Sequence, residues 1–214
     1  MKEGGSRAPL AGGAGVVCLC VVASVVALPA QAGSRLGATD CPFHTSVPPE
    51  LSPEAIGQMQ LGEHVGRLRL RCRAARDTTV RLQSDAGQAY PGLVFQFDSL
   101  TVLALQYGVS VLDSGRAADG WMVFGTRATI LDRVPLSASW IDLHAALGTA
   151  QASARGVLAV RFCSFPNAIM ILTADPGAVV TKKGLVDLSS IPHDATIHHV
   201  FIMSRSLAGH LMGC

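Results

Sequence analysis

The densest group of potential metal ligands in the chain lies near its end, at His193, Asp194, His198 and His199. A transition-metal site needs ligands that converge and a surrounding shell that orients them. In an extended segment, residues 198 and 199 point to opposite faces, so at most one of them joins His193. On a helix, His193 and His198 stand five apart and align poorly. The expectation is therefore surface or structural histidines and no metal, with His193, His198 and His199 the candidate ligands if there is one. Nucleophilic chemistry has less footing. No Gly-x-Ser-x-Gly elbow occurs. Cys163 with a distant histidine would make a Cys–His pair, but the cysteine count favours disulfide use. Acid–base work needs carboxylates held together, whereas Asp113, Asp119, Asp132 and Asp142 are spread among turn-like segments, where aspartate is common for its backbone hydrogen bonds. The glycine-rich run at 11–15 follows no strand, so it does not read as a phosphate loop. A non-enzymatic chain with no cofactor is expected.

Arginine gives a second chemistry. Arg67, Arg69, Arg71 and Arg73 alternate with Leu68, Leu70 and Cys72, the period of a half-buried strand with one wet face. Side chains two apart on one face lie roughly 6.5–7 Å from each other. Four guanidinium groups in line, joined by Arg81, could meet a sulfated, sialylated or phosphorylated surface through forked hydrogen bonds. The alternative is a solvated face paired with acids such as Asp85 or Asp98. Trp121 and Trp140 read as core or rim residues rather than sugar-stacking platforms.

These residues sit in a chain with an export pattern. Lys2 and Arg7 precede an uncharged run over 8–30 that closes on Ala30-Gln31-Ala32, where cleavage before Gly33 is expected in preference to an uncleaved anchor. Loss of residues 1–32 removes Lys2, Arg7 and Glu3 and leaves 15 basic and 14 acidic residues. That balance argues against nucleic acid as a partner. Cys41, Cys72, Cys163 and Cys214 remain, an even set that suggests two disulfides in an oxidising compartment, with three connectivities open. Locality favours Cys41–Cys72 and Cys163–Cys214; a free or intermolecular thiol at Cys214 is the alternative.

The elements that must position these side chains are mostly strands. Prolines make residues 33–60 an irregular lead-in, with Ser52 able to cap a helical turn into Ala55 and Ile56. Segments 66–73 and 78–82 suit a hairpin. Further strand patterns fall at 92–97, 103–111, 121–124, 128–131, 135–141 and 156–162, while 141–152 reads equally as a short helix or a loop. About seven strands at turn-punctuated intervals of roughly ten residues favour an all-β chain, an immunoglobulin-like β-sandwich with an additional C-terminal segment. The expected parts are a signal peptide at 1–32, the sandwich at 33–163, and a segment at 164–214. Strand-like runs at 168–172, 178–181 and 196–203 let that last segment complete the sandwich, form a small lobe or trail as a tail.

Several features occur in a telling order: Cys41, then Leu61-Gly62, then Gly66-Arg67-Leu68-Arg69-Leu70-Arg71-Cys72. Val80-Arg81-Leu82, Gly92-Leu93-Val94-Phe95 and Leu105-Gln106-Tyr107 follow, and then Val134-Pro135-Leu136-Ser137-Ala138 and Ala154-Arg155-Gly156-Val157-Leu158. In this order the chain resembles the subunits of bacterial chaperone–usher fimbriae, and residues 66–73 are similar to invasin-type tip subunits of the Dr/Afa group. The resemblance implies a sandwich lacking its final strand and bridged between the early cysteine and the strand ending in Cys72. It implies a groove filled by a neighbour's extended segment, with a periplasmic chaperone, an outer-membrane usher and neighbouring fimbrial subunits as partners, a host-cell receptor at the tip, and a location from periplasm to cell surface. Departures accompany it. Only residues 33–40 precede Cys41, with Leu36 the sole strong anchor, which suits a tip or terminal subunit. The closing tyrosine-bearing strand is missing, and about fifty residues follow Phe162. They could complete a fold that needs no donor, which makes a self-contained, disulfide-stapled secreted domain the main alternative and a secreted enzyme a further one.

Overall fold

The strand that ends the described chain is the one that closes its largest sheet. In the computed structural model, which describes residues 41, 48–81, 88–97, 99–181 and 185–203, the elements run in the following order. They are β1 (Glu50–Leu51), β2 (Ala55–Ile56), β3 (Met59–Gln60), α1 (Val65–Arg71), β4 (Arg76–Arg81), β5 (Ala89–Phe97), β6 (Leu100–Leu105) and β7 (Gly120–Gly125). Then come β8 (Thr129–Ile130), β9 (Val134–Pro135), α2 (Trp140–Leu147), β10 (Ala150–Ala154), β11 (Leu158–Phe162), β12 (Ala168–Leu172) and β13 (Ile197–Met203). Eight strands form one sheet in the order β10-β11-β12-β13-β7-β6-β5-β4, antiparallel throughout. Five two-residue strands form a second sheet, β3-β2-β1-β8-β9, in which β1 and β8 run parallel. The fold is an all-β sandwich.

The sequence leaves residues 164–214 three placements, and two described strands of this segment, β12 and β13, lie inside the large sheet. β13 pairs with β12 on one side and β7 on the other, so the boundary after residue 163 does not divide the fold. Asn167, buried, donates from Nδ2 to the carbonyls of Pro53 and Met203, at 2.9 and 3.1 Å. One amide thereby ties the end of β13 to the segment that forms the small sheet.

The inner face of the large sheet carries Phe95, Trp121, Val160, Phe162, Met170 and Val200, packed in one cluster with Leu51, Ile56, Met59 and Ile130 of the small sheet. Phe95 and Trp121 stack at 6.4 Å between centroids. Each fully buried side chain of this size contributes roughly 1.5–3 kcal/mol. The outer face is apolar too. Leu103, Leu105, Met122, Phe201 and Met203 form a second buried cluster with Tyr90, which is why β6 and β13 read as nearly continuous hydrophobic runs rather than clean alternations.

Of the strand expected over 135–141, only Pro135 lies in a strand, and Trp140 already begins α2. Of the run at 178–181, only Val180 makes a bridge. Three further local expectations are corrected. Residues 66–73 are not a strand: 65–71 form α1, capped by Cys72. The pattern that alternates also satisfies a helix, since Val65, Leu68 and Cys72 fall at i, i+3 and i+7 and are all buried, leaving Leu70 80% exposed. Arginine and leucine are good helix formers, and the segment has no run of β-branched residues. Secondly, the strand expected over 103–111 stops at Leu105. Gln106, fully buried, takes over the loop that follows: its Nε2 donates to the carbonyls of Asp113, Arg116 and Ala117, and its Oε1 accepts from the Asp113 N–H at 2.8 Å. Thirdly, Ser52 does not cap a helical turn. Its Oγ accepts from the Ala55 N–H at 3.0 Å at the bend from β1 into β2. Of the two readings for 141–152, the structure has α2 followed by β10. Ser139 receives the Asp142 N–H, and Gly148 ends the helix at φ 78°.

Candidate functional site

The arginines gather at one margin of the large sheet, on α1, in the turn that follows it (Arg73) and on the edge strand β4. On a helix, successive residues turn by about 100°, so Arg67 and Arg69 point to different sides and the four do not form the comb a strand would give. Arg69 pairs with Asp77 on β4. Arg71 bonds Glu63 through Nη1 at 2.8 Å, and its Nη2 reaches the Gln58 carbonyl at 3.3 Å. Arg67 and Arg73 are exposed, as are Arg76 and Arg81 on β4. The ion pairs are partly solvated and contribute little stability; their effect is to hold two guanidinium groups in place while four others face water. Six arginines and a single acid lie between Val65 and Arg81, and the rest of the chain holds 11 basic and 14 acidic residues. The near-neutral total therefore hides a strongly basic rim. Arg76 was not part of the comb; the strand pattern of Thr78, Thr79 and Val80 beside it is the signal that places it on the same margin.

Cys72 closes α1 and is disulfide-bonded to Cys41, the pairing favoured by locality. The bridge pins the C-terminal end of the arginine-bearing helix. Cys163 is also disulfide-bonded; Cys214, its expected partner, lies outside the described residues, as do the expected signal at 1–32 and Leu36.

The histidines separate into two places. His193 is exposed in the turn before β13, where its carbonyl accepts the Ile141 N–H. His198 and His199 come together, contrary to the expectation that they face apart. The pairing with β12 shifts register here, Ile171 opposite His199 and Leu172 opposite Ile197, which leaves His198 as the extra residue of a β-bulge. A bulge sets two consecutive side chains on nearly one side. The two Nδ1 atoms are 2.8 Å apart, and Phe124 packs against both rings. His199 is buried; burial first, and the neighbouring His198 second, push its pKa down to about 4. Among the described residues its Nε2 has no hydrogen-bond partner. Among the described residues, no group of three or more His, Cys, Asp or Glu side chains gathers around a common point, and no helix is long and apolar enough to cross a membrane. Trp121 and Trp140 are both buried in the core.

No protein-family model matches the chain, and no curated protein matches it. Among solved structures, the crystal structure of the uncharacterized protein yfeY from Escherichia coli superposes with a TM-score of 0.47 at 9% identity, over 72% of this chain and 99% of that one.

Proposed function

We propose that the chain is an exported, self-contained domain that acts by binding rather than catalysis, and that the arginine rim is its binding face. The observation that supports a self-contained domain is the position of β12 and β13 within the large sheet; export rests on the pattern at 1–32. A subunit assembled by donor-strand addition needs a groove where a strand is missing, and here the chain's own later strands occupy the middle of the sheet. The rim supports the second part. Four exposed guanidinium groups on α1, β4 and the turn between them offer forked donors to anionic groups, and charge concentrated on one margin steers such partners toward it.

Retention of the chain on a sulfated polyanion such as heparin, as a function of salt, tests the binding face. Wild type should elute late. The quadruple reversal of Arg67, Arg73, Arg76 and Arg81 to glutamate should elute near the void, whereas reversal of Arg127 and Arg133, distant in sequence, should change little. Equal retention of all three proteins would remove the rim as a binding face.

A further inference from the structure

We infer that the free edge of β4 is a docking site for an extended acidic polypeptide segment, which adds to the large sheet as a further strand. This deepens the binding reading above and rests on it. Among the described residues, β4 is the last strand of the eight-stranded sheet and pairs with β5 alone.

The hydrogen-bond register says which groups are available. The Pro91 carbonyl accepts from the Gln106 N–H, so Pro91 directs its backbone toward β6. Thr79 stands opposite Pro91 and is therefore in a non-hydrogen-bonded pair. By alternation, Arg76, Thr78 and Val80 bond to β5, and the N–H and C=O groups of Asp77, Thr79 and Arg81 point away from the sheet. Among the described residues nothing pairs with these edge groups.

An edge of this kind binds main chain, and its side chains choose the partner. Arg76 stands at one end of β4 on the outer face, beside Thr78 and Val80. Arg81 stands at the other end on the inner face, the side from which Arg69 of α1 reaches Asp77. An added strand alternates its side chains between these two faces, so each face offers it cations. Its complement is a segment with acidic residues along its length. Charges on an edge also deter self-pairing, a role that by itself gives no affinity for an acidic strand.

The test uses the disulfide-intact chain and a fluorescein-labelled peptide of repeating Glu-Glu-Val-Val, whose acidic residues fall on both faces of a strand, followed by anisotropy. Binding that weakens with salt is expected. Thr79→Pro removes an outward N–H while leaving the β4–β5 bonds, and proline is tolerated on an edge. It should weaken the peptide by about tenfold or more, roughly the effect of one lost hydrogen bond with its strand register, while heparin retention and thermal midpoint stay at wild-type values. The Arg76→Glu/Arg81→Glu pair, which leaves the backbone untouched, should weaken the peptide as much. Absence of peptide binding with heparin retention intact overturns strand addition and leaves the arginine rim standing as a face for polyanions. Peptide binding that neither Thr79→Pro nor the charge reversal alters also overturns it. Loss of both ligands in wild type removes the binding-face reading itself.

Discussion

An imidazole as buried as that of His199 must stay neutral, because burial removes the water that would solvate its charge. Its pKa falls from 6.5 to about 4. Between those values the unfolded chain holds a proton on this residue that the folded chain does not, so folding stability falls as pH falls. The contribution is complete above pH 6.5 and is lost progressively on the way to about pH 4, to the extent of about 3 kcal/mol at most. Urea midpoints measured across this range should decline toward acid. In His199→Leu, which keeps the apolar contact with Phe124 and cannot titrate, the decline should be shallower by that amount. A slope identical to wild type would mean that other groups govern the acid limb. The pair shows what single residues do and do not reveal. Two adjacent histidines were legible as a group, but their faces were read from regular strand geometry. The bulge that brings them together arises from pairing with Ile171 and Leu172, residues 26 to 28 positions away in the chain, and no local pattern announces it.

At the scale of elements, the arginine-rich segment is the instructive case. Its alternation of arginine and leucine was visible, and it fits a strand as well as a seven-residue helix. What decides is tertiary: Leu68 and Cys72 bury while Leu70 turns to water, and the Cys41–Cys72 bridge holds the helix end. The bridge spans 31 residues, and in the chain-entropy model its loss costs about 3–4 kcal/mol. Cys72→Ser should therefore lower the urea midpoint with a steeper slope, since the uncrosslinked chain unfolds to a more expanded state, and unchanged stability would show that α1 is held by packing alone. Strands with β-branched residues, such as β4 and β12, stood close to where their composition placed them. β6 was overestimated because Gln106, which looks like one more polar position in an alternating run, folds its side chain over the next loop instead. A second element-scale prediction concerns the last residue of β7. At Gly125, φ is +116°, and a Cβ would meet the Ser99 carbonyl oxygen at 2.0 Å, so Gly125→Ala should destabilise by about 2 kcal/mol or more. A melting temperature equal to wild type would contradict that backbone.

For the whole molecule, the decisive feature is order in the sheet rather than the number of strands. An all-β sandwich was legible from short apolar runs and turn residues. That the chain returns after β12 to insert β13 beside β7 was not, because insertion depends on pairings between residues 120–124 and 199–203 that no sequence period encodes. The insertion makes the C-terminal segment part of the core, with Val200 and Ile202 on the inner face and Phe201 and Met203 on the outer. The buried Asn167 that binds both Pro53 and Met203 couples the ends of the fold. The resemblance to fimbrial subunits rests on residues 41–162 and thus omits the strands that fill the sheet. Those strands support the proposal of a self-contained domain. The measurement that tests this most directly is equilibrium urea unfolding of residues 33–214 with disulfides intact, alone and after co-expression with a periplasmic fimbrial chaperone. A monomer that unfolds cooperatively and is unaffected by the chaperone is the predicted result. A chain that is unstable alone and recovered only as a one-to-one chaperone complex would contradict it and would make the sheet one that awaits a strand from another subunit.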